Sequence, residues 1–327
     1  MGSIRWPKSP PHRTCPAIWP YHQGMEDRCL GSSGVLVGPI AFGCWRFAGV
    51  DIDVAAERIT TALNAGMTLI DTADVYGLDN DCPWGAAEAL LGEVLANDPA
   101  LRTRMVLATK GGIQLEADRS LGVPYDSSAA YIVEACDRSL ERLQTDRIDL
   151  YQIHRPDLLT HPGDTAAGLA LLLESGRVRH IGVSNYSTSQ VRALRAYLPE
   201  GIDLVSVQPE FSAAHLDPID DGVFDQAMEL GYTALAWSPL AGGKLLQTPD
   251  TEQMAKLQAV LDEIAEAHQV TRTQIALAFV LAHPAGVIPI IGTGSTDRII
   301  ESAAATEVEL DNAECYRIIA AAGRALP

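Results

Sequence analysis

The chain reads as a single α/β domain of the (β/α)8 TIM barrel class, with an N-terminal β-hairpin ahead of the barrel and a helix closing it behind. Three observations predict this. Eight short apolar, β-branched runs alternate with amphipathic helical patterns, the rhythm of strands joined by crossover helices. The G-x-G-x-x-G fingerprint of an open dinucleotide-binding sheet is missing at the first strand–helix turn, which runs Gly43-Cys-Trp-Arg-Phe-Ala-Gly49; Gly292-Thr-Gly294 near the end lacks a third glycine. Polar residues with reactive groups fall at the C-terminal ends of the strands, where such a barrel gathers its chemistry.

In chain order, residues 1–24 stand apart. They carry Pro7, Pro10, Pro11, Pro16 and Pro20, two isolated tryptophans and no periodicity. Proline fixes φ and lacks an N–H, so this stretch suits neither a helix nor a central strand. It is expected to be a disordered or non-core extension, with one barrel domain over residues 25–327. Residues 29–37, with Gly-Ser-Ser-Gly at their centre, predict a hairpin. Strands are expected at 40–43, 67–72, 105–110, 149–154, 180–185, 204–209, 232–237 and 287–292. Helical patterns fall near 53–65, 86–97, 127–144, 164–176, 188–198, 221–230 and 252–283. In the third of these, Ile132, Cys136, Leu140 and Leu143 mark one face. The last is too long for one uncapped helix and should divide, its second part starting near Thr271. A closing helix is expected at 311–322.

The bulk numbers exclude some function classes. With 42 acidic and 24 basic side chains, net charge is −18, and no basic patch relieves it, so neither nucleic acid nor an anionic membrane surface is an expected partner. The six cysteines (Cys15, Cys29, Cys44, Cys82, Cys136, Cys315) form no C-x-x-C and read as reduced thiols in a cytoplasmic protein. No apolar run approaches a membrane span, and no leader pattern opens the chain.

Read at their ends alone, the strands finish in Asp71, Lys110, His154, Ser184-Asn185, Gln208, Trp237-Ser238 and Gly292-Thr293, with Tyr76 in the loop after the second. Four of these suit carbonyl reduction. A carbonyl accepting hydride needs a proton donor, and a free tyrosine, with a pKa of about 10, is a weak one. A Lys110 ammonium beside the Tyr76 phenol should lower that pKa, and Asp71 should keep Lys110 charged and oriented. His154 can donate to the substrate oxygen. Each has a plainer reading: Asp71 with Lys110 as a rim ion pair, His154 as a core histidine, Tyr76 as one of nine tyrosines, Trp237 as rim packing. Gln208 and Asn185 can satisfy strand-end backbone, and Trp45 can line the substrate site or only pack on it.

The stretches Ile70-Asp71-Thr-Ala-Asp-Val-Tyr76-Gly77, Leu107-Ala-Thr-Lys110, Ile153-His154-Arg-Pro-Asp157 and Ile181-Gly-Val-Ser-Asn185 together resemble the aldo-keto reductases, in order and spacing, from about Met25 to the C-terminus. The resemblance implies an NADP-dependent oxidoreductase that reduces an aldehyde or ketone to the alcohol, with Asp71, Tyr76, Lys110 and His154 as its catalytic tetrad. It implies carboxamide contacts from Ser184, Asn185 and Gln208, and nicotinamide stacking on Trp237. The pyrophosphate would face Ser238, Pro239, Leu240, Gly242 and Gly243, and the adenosine phosphate Gly292, Thr293, Gly294, Arg298 and Ser302. Glycines at these turns allow backbone N–H groups close to phosphate, and a helix starting after Gly294 would offer its N-terminus.

Two departures matter. The stretch after strand eight reads Gly294-Ser295-Thr296, leaving Arg298 as the group to grip the 2′-phosphate that separates NADPH from NADH. Residues 78–85 differ from the short glycine-rich turn common in the family and should shape the substrate mouth. The implied partner is a small carbonyl substrate, no metal is called for, and nothing demands more than a monomer or weak homo-oligomer. A cofactor-binding regulatory subunit with little turnover is the alternative. A metal-dependent hydrolase is disfavoured, because the ring of strand ends offers one histidine and one carboxylate.

Overall fold

The computed structural model describes residues 27–78, 81–114 and 125–326; the expected extension at residues 1–24 lies outside them. β1 (Arg28–Cys29) and β2 (Leu36–Val37) pair antiparallel as the expected hairpin. Eight parallel strands follow: β3 (Ala41–Gly43), β4 (Leu69–Asp71), β5 (Val106–Gly111), β6 (Ile148–Ile153), β7 (Val178–Ser184), β8 (Leu204–Gln208), β9 (Thr233–Ala236) and β10 (Ile288–Ile291). They close in sequence order, β10 pairing with β3 through Ile290–Ala41 and with β9 through Ile288–Leu235.

Apolar side chains fill both sides of this wall, as they must when helices cover a parallel sheet. Inside, Ala41, Leu69, Ala108, Leu150, Leu235 and Ile288 meet Leu30 and Val37 of the hairpin, which stops the N-terminal end of the barrel. Outside, a larger cluster packs strands against helices, including Phe42, Leu91, Ile132, Leu172, Phe224 and Ile275. The hairpin is anchored across the chain, where the Gly31 N–H donates to Thr233 Oγ1 at 2.7 Å and that hydroxyl donates to the Cys29 carbonyl at 2.9 Å.

The helices are α1 (Ile52–Asn64), α2 (Ala86–Asn97), α3 (Pro99–Thr103), α4 (Ala129–Leu143), α5 (Pro162–Glu174), α6 (Thr188–Arg195), α7 (Asp217–Asp220), α8 (Val223–Leu230), α9 (Glu252–His268), α10 (Arg272–Leu281), α11 (Thr296–Ala303) and α12 (Asn312–Ala321). Their starts are chemically marked. Ser187 with Gln190, Thr271 with Gln274 and Asp311 with Glu314 form capping boxes. The stretch 252–283 divides as expected: Gln269 takes a left-handed φ of 58°, and Thr271 caps the second helix. In α4, Ile132, Cys136 and Leu143 are buried on one face, with Leu140 packed at its edge.

Two short helices, α3 and α7, go beyond the sequence reading. Each has proline in its first turn and is too short to show a period. Among the described residues, the cysteine expectation needs correction at one position. Cys44, Cys82, Cys136 and Cys315 are free thiols, but Cys29 is disulfide-bonded. No helix among the described residues is long and apolar enough to cross a membrane.

Candidate active site

The C-terminal ends of the barrel strands open into one cavity of about 820 Å³. At its floor, β5 carries Lys110, fully buried, whose Nζ lies 2.6 Å from Asp71 Oδ2 at the end of β4. The same ammonium donates to the Thr72 carbonyl at 2.9 Å and to Tyr76 Oη at 3.1 Å. The backbone explains the meeting. Beyond β4, the Thr72 N–H donates to the Ala108 carbonyl and the Asp74 N–H to the Lys110 carbonyl, so the chain follows β5 before it turns and lays the phenol over the ammonium. The His154 N–H donates to the Gly111 carbonyl, setting its ring 6.0 Å from that of Tyr76, edge to face.

Burial and charge compete here. Desolvation pulls the Lys110 pKa down, but Asp71 and Tyr76 outweigh it and hold the ammonium above its ordinary value. At Tyr76, burial raises the pKa and the Lys110 charge lowers it; burial wins, and the phenol stands above its ordinary value. The expectation of a lowered phenol pKa is therefore corrected: Lys110 acts with the expected sign but does not offset the desolvation. Burial first, then Lys110 and Arg155, hold the His154 pKa well below its ordinary value, so the ring is neutral. Its Nδ1 is buried without a partner, and an orphaned N–H costs more than an orphaned lone pair. That leaves the proton on Nε2.

Above this floor the strand-end polar groups interlock. Gln208 Nε2 donates to Asp71 Oδ1 at 3.1 Å, and Ser184 Oγ donates to the Gln208 carbonyl at 2.9 Å. Asn185 Nδ2 donates to Ser184 Oγ at 2.8 Å and to the His154 carbonyl at 3.2 Å, and its Oδ1 accepts from Trp237 Nε1 at 2.9 Å. Asn185 and Ser238 both adopt left-handed φ, 60° and 51°, a conformation that costs about 1–3 kcal/mol and persists where surrounding bonds fix it.

After Ser238, the loop following β9 returns to negative φ at Leu240 (−109°) and turns left-handed again at Ala241, Gly242 and Gly243, with open space where a Gly242 side chain would begin; Pro239 lies between. The loop after β10 (Gly292, Thr293, Gly294) leads to Ser295, which caps α11; Arg298 is exposed, and Ser302 Oγ donates to the Arg298 carbonyl at 2.7 Å. Every position the resemblance assigned to the cofactor lines this one cavity, as do Asp71, Tyr76 and His154; Lys110 sits just beneath its surface. Leu78 and Trp84 line it too, as expected of that loop, and so does Trp45, 36% exposed. Residues 79–80 lie outside the described ones.

The sequence reading missed several residues. Arg46, Gln114, Tyr125 and Arg155 also line the cavity. Arg155 was legible by its adjacency to His154; the others depend on how loops fold back. A polar group outside the tetrad was unforeseen: buried Asp74, Glu88 and Tyr151 with half-buried Arg142, where Glu88 Oε2 accepts from Arg142 Nε at 2.8 Å. Among the described residues, no group of three or more His, Cys, Asp or Glu could hold a metal ion.

Comparison with known proteins agrees with this architecture. The model of the Aldo/keto reductase family matches residues 39–322. The chain is 48% identical over 303 residues to a 6-dehydroglucose reductase of Novosphingobium aromaticivorans, covering 92% of this chain and 97% of that one. It is 33% identical over 286 residues to a 6-dehydroglucose reductase of Agrobacterium fabrum, covering 85% and 92%. Among solved structures, an aldo/keto reductase from Klebsiella pneumoniae in complex with NADP and acetate superposes with a TM-score of 0.73 at 25% identity, covering 90% of this chain and 94% of that one. The aldo-keto reductase AKR11C1 from Bacillus halodurans, in its holo form, does so with 0.74 at 27%, covering 91% and 96%.

Proposed function

This chain belongs to the aldo/keto reductase family of oxidoreductases, and from that premise we propose that it uses NADPH to reduce the aldehyde group of a sugar of the 6-dehydroglucose kind to the alcohol. The observation that carries the reading is the Lys110 hub, one buried ammonium touching both Asp71 and Tyr76 at 2.6 and 3.1 Å.

The groups along the cavity fit a nicotinamide dinucleotide. Trp237 offers an indole face held in place through Asn185; Ser184, Asn185 and Gln208 offer amide and hydroxyl groups beside it. The left-handed turn at Gly242 and Gly243 gives the Gly243 N–H to the Leu240 carbonyl at 2.9 Å and leaves open space at Gly242, where a pyrophosphate can approach the backbone, and Arg298 stands at the far end for a 2′-phosphate. When bound, such a cofactor supplies hydride to the carbonyl carbon.

The chain's own residues supply the rest. The Tyr76 hydroxyl gives its proton to the carbonyl oxygen. The phenol is a weak acid in the resting site, so the phenolate left behind needs the Lys110 ammonium 3.1 Å away, and Asp71 fixes that charge in place. His154, neutral with its proton on Nε2, donates a hydrogen bond to the same oxygen and orients it. Trp45, Trp84 and Tyr125 wall the mouth with aromatic surface suited to the C–H faces of a sugar.

The test is Tyr76→Phe, assayed with NADPH and 6-dehydroglucose. Removing the proton donor should lower kcat by about 10²–10⁴-fold. Quenching of tryptophan fluorescence by NADPH should persist with a dissociation constant within a few-fold of the parent. Retention of most of the turnover in the variant would remove Tyr76 as the acid.

A further inference from the structure

Acidic side chains outnumber basic ones 42 to 24 in this chain, and arginines commonly find an acidic neighbour: Arg102, Arg142, Arg195, Arg272 and Arg324 all hold ion pairs. Arg155 does not. It directly follows His154, lines the cavity and is half-buried, yet its guanidinium makes no hydrogen bond or ion pair among the described residues. It lies instead over the ring of Trp237, Cζ 5.5 Å from the centroid. Stacking of this kind holds a guanidinium in place while leaving its in-plane N–H donors unspent. Donors that are partly desolvated and unmatched are a standing cost unless a ligand brings oxygen atoms to them.

We propose that Arg155 is the specificity-determining residue of this site, a two-pronged donor to adjacent hydroxyl oxygens of a sugar aldehyde whose carbonyl lies against Tyr76 and His154. This rests on the reductase reading given above. The fork lines the same cavity as the ring that would orient the carbonyl, so its donors face the space that would hold the carbons beside the reacting one. A site built to donate to substrate oxygens discriminates strongly against an analogue that lacks them, because its own donors are then buried unpaired. The aromatic wall of Trp45, Trp84 and Tyr125 cannot supply that discrimination, since it packs against any carbon chain.

The experiment compares wild type, Arg155→Met and Arg155→Lys on 6-dehydroglucose and on a hydroxyl-free six-carbon alkanal, with NADPH, at low and high salt. In Arg155→Met the preference for the sugar aldehyde, as a ratio of kcat/KM values, should fall about 10–100-fold, chiefly through KM. Arg155→Lys should recover only part of it, because an ammonium is a point charge and not a planar fork. The wild-type KM for the sugar should barely respond to salt, as befits a neutral ligand. An unchanged preference in Arg155→Met would overturn the proposal. So would full recovery by lysine together with a strongly salt-dependent KM, which would assign Arg155 to an anionic substrate group. If the wild type reduces neither aldehyde, the reductase reading itself falls; if it reduces the alkanal and only the variants behave otherwise than expected, the fault lies with Arg155 alone.

Discussion

Replacing Lys110 with methionine, alone and together with Asp71→Asn, separates the two things the central ion pair does. At 2.6 Å and an effective dielectric near 20, the attraction is about 6 kcal/mol, set against a desolvation penalty of several kcal/mol for each ion. The net value of the pair is therefore small, but the value of either partner to the other is large. Lys110→Met keeps the volume of the side chain, so it opens little space. It leaves the Asp71 carboxylate, 2% exposed, with Gln208 Nε2 as its remaining side-chain donor. Stranding a buried charge in this way costs about 3–5 kcal/mol, which in a chain of this size lowers Tm by roughly 4–7 °C. Adding Asp71→Asn removes the stranded charge, so the double variant should be more stable than Lys110→Met by at least about 2 kcal/mol. Turnover should not return, because the Tyr76 phenolate still lacks its ammonium. Thermal and urea unfolding by circular dichroism, beside steady-state kinetics, reads both quantities. If the double variant costs the sum of the two single ones, the charges are not coupled as their distance implies. If it regains turnover, the pair serves the fold and not the proton transfer.

Two further outcomes follow from other parts of the cavity and its support. Arg298→Ala should weaken NADPH binding about tenfold, the worth of one charge-assisted contact at an exposed site, while NADH binding moves less than about threefold; equal weakening of both in fluorescence titrations would take the 2′-phosphate away from Arg298. Asp74 is 1% exposed with neither carboxyl oxygen partnered, and burial, then the Glu88 carboxylate, raise its pKa well above the ordinary value against Arg142 and Arg138. The unfolded chain loses this proton near pH 4 while the native one keeps it, so the native state binds more protons and this residue costs stability as pH rises from there. Asp74→Asn should accordingly raise Tm, with the gain over wild type larger at about pH 8 than at about pH 4; a gain equal at both would mean the native carboxyl is not held protonated.

Much of the fold was legible because its signals are local. Alternation of apolar runs with amphipathic stretches, the capping residues Ser187, Thr271 and Asp311, and the Gly-Ser-Ser-Gly hairpin each occupy a few neighbouring positions. Strand ends were placed within a few residues, as at β7, which ends at Ser184 and leaves Asn185 to its left-handed turn. The helices α3 and α7 escaped because one turn carries no period.

The sequence by itself determined that Asp71, Lys110, His154, Asn185, Gln208 and Trp237 share one face, because in a closed parallel barrel every strand must end on the same side. Tertiary structure alone decided how those groups behave. Whether burial or Lys110 governs the Tyr76 phenol depends on how much water the packed loops exclude, and the loops prove tight enough for burial to win. Whether Arg155 finds an acid or only the face of Trp237 depends on segments 82 residues apart in the chain, and no periodicity records that encounter. Which cysteine is bonded and which carboxyl is left without a donor are settled in the same way. Periodicity and capping act between neighbours and can be read from neighbours; desolvation and charge pairing act through space and exist only once the chain has closed on itself.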